Sequence, residues 1–204
     1  MNTYRKTTVI VGILFIIGTV SGILAGVVTA PIRAGSTYPL NISASETQWI
    51  IGTLLILLMG LSLAMTPVLL YPIFRKHNEV VAFGSVLFRG VLEQVTQILV
   101  VISFFLLLTV SEIYGKTGAA NASNFQTLGS MLIAAGHWIP VIGGIVFSIG
   151  TLMMFALFYQ TRLIPRWLSG WGLIGAVLYC IAKIVSMFIP LHLAPNIGVG
   201  IGLL

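Results

Sequence analysis

The chain has 204 residues, of which ten are Lys or Arg, four are Glu and none is Asp. Charged residues make up 7% and apolar residues 58%, with a mean hydropathy of +1.09, whereas a soluble globular chain carries about 25% charge. This composition excludes a disordered chain, a coiled coil and an ordinary water-soluble enzyme, and leaves a protein whose main solvent is lipid. The net charge of +6 would point to nucleic acid in a soluble protein. Here the cations sit in short clusters between apolar runs, so membrane topology explains them better and no nucleic-acid partner is expected.

A bilayer core about 30 Å thick needs about 20 apolar residues in a helix. Taken in chain order, the apolar runs at residues 8–30, 48–74, 79–110, 128–159 and 167–189 meet that length. The first follows Arg5 and Lys6, but it exceeds the roughly 7–15 residues of a signal-peptide core, so it reads as an uncleaved span. A sixth run, residues 195–204, rises only about 15 Å as a helix. It is therefore re-entrant, crosses halfway, or belongs to a truncated chain. The expected fold is all-α: one integral membrane domain, residues 1–204, forming a polytopic transmembrane helical bundle of five full spans plus a partial or truncated sixth.

The cations set the expected orientation. With the N-terminus in the cytoplasm, Arg5, Lys6, Arg75, Lys76, Arg162 and Arg166 fall inside, and Arg33 and Lys116 outside. That is the positive-inside bias of a cell inner (plasma) membrane protein. Trp49, Trp138, Trp167 and Trp171 lie near expected span ends, where indole prefers to sit. The inner turns at 75–78 and 161–166 are short and force antiparallel hairpins, whereas the outer stretches 32–47 and 112–124 are rich in Ser, Thr, Gly and Asn and read as flexible loops. Pro67 and Pro72 are expected to kink the second span, and residues 136–140, which end in Pro140, to break the start of the fourth.

Lipid tails are as apolar as Leu, so close packing at small residues does much of the work of helix association. Gly18, Gly22 and Gly26 recur every four residues on one face of the first span. They serve either packing within the bundle or, on a sharper reading, a homo-oligomer seam through that span.

Arg89 and Lys183 are the two cations that fall inside spans. Arg89, Glu93 and Gln97 share one face of the third span at i, i+4 and i+8. Tyr179, Lys183 and Ser186 form a second polar stripe in the fifth. Counted from the inner end at 1.5 Å per residue, Glu93 lies about 21 Å deep and Lys183 about 24 Å. An uncompensated charge at that depth costs at least about 2.5–3.5 kcal/mol. The expectation is that Glu93 sits between Arg89 and Lys183, facing the bundle interior. The bland reading of that group is an ion pair that fixes helix register. The functional reading is an ion, proton or anionic-ligand site, the surplus cation favouring an anion.

No zinc, iron–sulfur, P-loop or nucleophile motif is present, and His137, His77 and His192 are not placed for paired haem ligation. No cofactor, metal or catalytic residue is therefore expected, and an enzyme is the weaker class. Three functions stay open: a transporter-like or ligand-sensing protein with a polar intramembrane site, a structural or accessory subunit whose ion pairs only lock the helices, and an intramembrane enzyme acting on a lipid or quinone. The bilayer is the one partner the composition specifies.

The segment Tyr71-Pro72-Ile73-Phe74-Arg75-Lys76-His77-Asn78-Glu79, followed by Phe88-Arg89 and Glu93, resembles a hallmark of the bacterial membrane-protein family named domain of unknown function 4386. A second stretch, Leu157-Phe158-Tyr159-Gln160 with Arg162-Leu163-Ile164-Pro165-Arg166-Trp167-Leu168 and then Gly172-Leu173-Ile174-Gly175, resembles its other hallmark. The resemblance spans nearly the whole chain. It implies a multi-pass integral membrane protein of bacteria or archaea, usually with a further apolar segment, and assigns no activity. Physically, the Arg75, Lys76, Arg162 and Arg166 turns suit anionic headgroups, worth about 1 kcal/mol per cation near the surface.

Overall fold

The structure, a computed structural model, describes residues 3–34, 39–117 and 122–188. Among these, every regular element is helical. Helix α1 is Thr3–Arg33 and α2 is Glu46–Phe74, preceded by a short 3₁₀ turn, Ile42–Ser45. A third continuous rod combines α3 (Glu79–Ser85), a π-helical segment (Val86–Leu92) and α4 (Glu93–Thr117). Helix α5 is Ala122–Thr161 and α6 is Arg166–Ser186. Five helices are thus long and apolar enough to cross a membrane, matching the five full spans expected. The sixth run, 195–204, lies outside the described residues.

The order in space follows the order in sequence. Helix α1 packs on α2, α2 on the third rod, the rod on α5, and α5 on α6. Among the described residues no packed interface joins α1 to α6, so these two are the edges of the described array. Their outer faces are apolar and, among the described residues, uncovered, with Ile16, Val27 and Leu178 exposed. Apolar surface that extensive is untenable in water and natural against acyl chains. The chain is a membrane-embedded helical protein.

The seam between α1 and α2 shows how such helices adhere. A Cβ at Gly18 would lie 2.7 Å from Leu63 Cγ, and one at Gly22 would collide with Met59 Sδ. Gly18 and Gly22 therefore face α2, whereas Gly26 meets open space. Two buried hydroxyls along this seam bond back to their own helices: Thr29 donates to the Ala25 carbonyl and Thr53 to the Trp49 carbonyl, each at 2.8 Å. With no water to accept these protons, the carbonyl one turn back does so.

Several boundaries differ from those expected. Pro140 does not break its span: α5 runs unbroken for 40 residues, about 60 Å, because a helix tolerates Pro where its surroundings satisfy or solvate the freed carbonyl. The 32–47 stretch is also less open than its composition implied. Helices α1 and α2 extend into it, Ile42 is fully buried, and Ser111 Oγ accepts from the Ser43 N–H at 2.9 Å while donating to the Leu40 carbonyl. Trp49, expected at an interface, is buried instead and donates its indole N–H to the Phe104 carbonyl at 2.8 Å. Trp167 and Trp171 are exposed, as interfacial anchors are.

At the opposite end the tight turns form as the sequence required. Asn78 Oδ1 accepts from the Val81 N–H and caps α3. Phe74 and Phe158 meet edge to face at 5.2 Å, above a buried cluster of Leu70, Ile73, Ala82, Met154 and Leu157. This cluster ties both hairpins together and closes the array at that end.

Candidate functional site

The chemistry-bearing residues gather on α5, between the third rod and α6. Two neighbouring glycines define the two faces of α5. A Cβ at Gly143 would strike Thr96 Oγ1 of α4 at 2.6 Å, and one at Gly144 would strike the Lys183 stem, with Cγ at 2.7 Å. Consecutive helical residues are about 100° apart, so the rod and α6 pack on adjoining faces of α5. Two turns along from Gly143, a Cβ at Gly150 would come within 2.7 Å of the Arg89 backbone nitrogen. Only glycine allows the rod that close.

At this contact the rod is π-helical. The Glu93 N–H reaches back five residues to the Phe88 carbonyl, and the wider turn places Arg89 and Glu93 on adjoining levels of one face. Such π turns are frequent at functional sites. Arg89 donates to the Glu93 carboxylate, and both residues are buried. The Arg89 guanidinium also stands over the Phe147 ring, 4.2 Å from its centre, a cation–π contact that gains strength away from water.

From Phe147 the contacts continue into α6. The Phe147 and Tyr179 rings meet edge to face at 5.3 Å, and the Lys183 ammonium lies 5.0 Å from the centre of the Tyr179 ring. Two cations from different helices thus bracket one aromatic pair. Tyr179 and Lys183 are half-buried. One turn from Phe147, Thr151 is buried and its hydroxyl has no hydrogen-bond partner.

The expected set of three charges is a pair and a separate cation. Lys183 makes no ion pair among the described residues, and Glu93 bonds to Arg89. Equal depth does not bring Lys183 to Glu93, because α6 packs on α5 and not on the rod, with the two rings in between. Gln97 stays apart as well. Its Cβ, like the amide of Gln94, lies against Gly60 of α2, and no hydrogen bond joins it to the pair. Phe147, Thr151 and the π turn were missed in the sequence. The small residues Gly143, Gly144 and Gly150 around one aromatic were the available signal.

The basic turns are remote from this layer. Arg75, Lys76, Arg162 and Arg166 are all exposed. Arg166 stacks on Tyr159 at 5.2 Å and Arg75 stands over Tyr71 at 6.0 Å. Arg162 occupies the left-handed region, φ 53°, closing α5 with its N–H on the Phe158 carbonyl at 3.0 Å, a C-terminal position usually given to Gly. His137 lies in α5, edge to face with Trp138, its Nε2 buried without a partner. His192 is outside the described residues. No cluster of His, Cys or Glu suited to a metal occurs among the described residues.

Fold and charge placement together define a multi-span helical membrane protein with ionised groups inside its array. The family model described as "Domain of unknown function (DUF4386)" matches residues 10–202, and the chain belongs to that family. Neither the curated proteins nor the solved structures give a match.

Proposed function

We propose that this chain is a membrane-embedded binding protein of the transporter or ligand-sensing type, whose site is the layer of Arg89, Glu93, Phe147, Tyr179 and Lys183 and whose ligand carries negative charge. One observation carries the reading: the layer holds two cations and one carboxylate, and Lys183 has no acidic partner among the described residues. A lone cation at the bilayer centre costs about 2.5–3.5 kcal/mol and less toward a helix end; Lys183 is half-buried in the last turn of α6, and a bound anion offsets the share it bears. Donors are in surplus too, since the Thr151 hydroxyl is unpartnered and a guanidinium has five N–H groups. The clustering of Arg75, Lys76, Arg162 and Arg166 at the tight turns supports a cytoplasmic N-terminus in a cell inner membrane, by the positive-inside rule.

The test is a thermal-shift series on the full chain in nanodiscs, with the sodium salts of chloride, phosphate, butyrate and palmitate. At least one anion is expected to raise the Tm of the parent protein and to lose that effect in Lys183→Gln. Equal responses of parent and variant, or no response to any anion, would overturn the reading.

A second reading has its own observation. Arg89 and Glu93 neutralise each other within a single rod, as they would in an accessory subunit whose charges only lock helix register. Under that reading no anion shifts the Tm, and only removal of Arg89 or Glu93 matters.

A further inference from the structure

We infer that the basic end of the array binds one phospholipid with two phosphates in its headgroup, a lipid of the cardiolipin class. This site is separate from the Arg89 and Lys183 layer and does not depend on what that layer binds.

The packing brings three basic segments to one end. Phe74 and Phe158 meet edge to face at 5.2 Å. Arg75 directly follows the first ring and Tyr159 the second. The rod has the matching register: a Cβ at Gly84 would strike Met153 Sδ, and one at Gly150 the Arg89 backbone. Rod and α5 are therefore antiparallel, and the start of α3 at Glu79 comes level with the end of α5. On the other side, Gly18 faces Leu63 and Gly22 faces Met59. That antiparallel step, continued for about three turns, sets Lys6 level with Arg75, and Val11 packs on the buried cluster at this end. Arg5, Lys6, Arg75, Lys76, Arg162 and Arg166 thus collect together, with Glu79 the one acidic side chain among them.

These cations are held ready rather than neutralised. Arg75, Arg162 and Arg166 are exposed and form no ion pair among the described residues. Two of them rest on rings: Arg75 stands 6.0 Å from the centre of Tyr71, and Arg166 stands 5.2 Å from that of Tyr159. A ring covers one face of a guanidinium and leaves its N–H edge, the edge that takes two phosphate oxygens at once. One such arginine stands at each tight turn, which suits two linked phosphates. Arg162 adds a further cation at a conformational cost. It is the one non-glycine residue with positive φ among the described residues, at 53°, where glycine would sit without strain. Strain of this kind, kept at a charged residue, points to use of the charge.

The height of the cations selects lipid as the occupant. Arg166 adjoins Trp167, and Trp171 lies one turn on, both exposed. Indole rings settle at the headgroup level, and the short turns at 75–78 and 162–165 carry the arginines little beyond it. At that level they meet the phosphodiester plane, and basic clefts between helix ends are where diphosphate lipids bind.

The test is native mass spectrometry of the full chain released from detergent micelles. It is titrated with tetraoleoyl cardiolipin, dioleoylphosphatidylglycerol, dioleoylphosphatidylcholine and inorganic phosphate. One cardiolipin is expected to bind saturably, about tenfold tighter than phosphatidylglycerol because its second phosphate binds as a tethered group. Inorganic phosphate should not displace it. Binding should weaken about fivefold for each arginine removed in Arg75→Gln and Arg166→Gln, and Lys116→Gln, at the far end of the rod, should leave it unchanged. Arg162→Gly separates ligand from fold: its lipid-free Tm should equal or exceed that of the parent while cardiolipin binding weakens about fivefold. Equal affinity for phosphatidylglycerol and cardiolipin would overturn the paired-phosphate headgroup. Displacement by inorganic phosphate would overturn the lipid. Uptake of all three lipids alike without saturation, or an Arg162→Gly variant that loses Tm and keeps full binding, would overturn the site.

Discussion

Two seams of this molecule are built with the same device and differ in what the device holds. Between α1 and α2, Gly18 and Gly22 admit the apolar ends of Leu63 and Met59, and Thr29 and Thr53 are bonded within their own helices, while Thr66 is buried without a partner. On α5, Gly144 and Gly150 admit the stem of a lysine and the backbone beside a buried arginine, and Thr151 and Lys183 have neither a hydrogen-bond acceptor nor an acid among the described residues. The first seam is held by apolar contacts and serves adhesion. The second keeps charge inside the array with one cation unanswered, an arrangement that adhesion alone does not require.

The comparison can be broken most forcefully at Gly150. A side chain there meets the Arg89 backbone at 2.7 Å, and backbone cannot yield as a flexible side chain does. Gly150→Leu is expected to exceed the ordinary overpacking cost of about 1–3 kcal/mol, seen as failure to accumulate as a folded, monodisperse protein in detergent. Glu93→Gln comes next. It strands a buried guanidinium, a loss of about 3–5 kcal/mol for one partner of a buried pair, whereas Arg89→Met combined with Glu93→Leu should recover most of it. Unfolding in sodium dodecyl sulfate titrations of the two singles and the double measures the cycle. Equal destabilisation in the double and the single variants would show that the pair is not the source of the loss.

Smaller effects sharpen the contrast. Trp49→Phe keeps the stacking on Phe104, whose ring lies 4.9 Å away, but removes the indole bond to the Phe104 carbonyl, a loss of about 0.5–1.5 kcal/mol. Gly22→Ala is expected to cost least. The clash there is with Met59 Sδ, the far end of a flexible side chain that can turn away, so a fall of under about 1.5 kcal/mol is expected. A larger fall, in the same titration, would mean that the α1 seam is as rigid as the contact at Gly150.

Much of this architecture was legible in the chain because hydropathy over 20 residues is a dense signal. Five spans and two tight turns follow from it, with Asn78 marking the start of one helix. The boundaries were less so: Pro140 is read as a break in water-soluble helices, but α5 continues through it. At the site, the spacing of Arg89 and Glu93 was sufficient to pair them, since both belong to one rod. The distance of Lys183 was not legible, because residue counting gives depth along the bilayer normal and says nothing of which helices are neighbours. The π turn carries no residue signature of its own. It coincides with the close approach of Gly150 to Arg89, which is a tertiary fact.

The central claim, that Lys183 is a cation the fold itself leaves uncompensated, is tested most directly by the stability of Lys183→Met in ligand-free nanodiscs. Met keeps the apolar stem over Gly144 and removes only the charge. The account predicts a Tm equal to or above that of the parent, opposite in sign to the drop in Glu93→Gln. A drop of comparable size in both variants would mean that Lys183 is paired within the folded chain, and would contradict it.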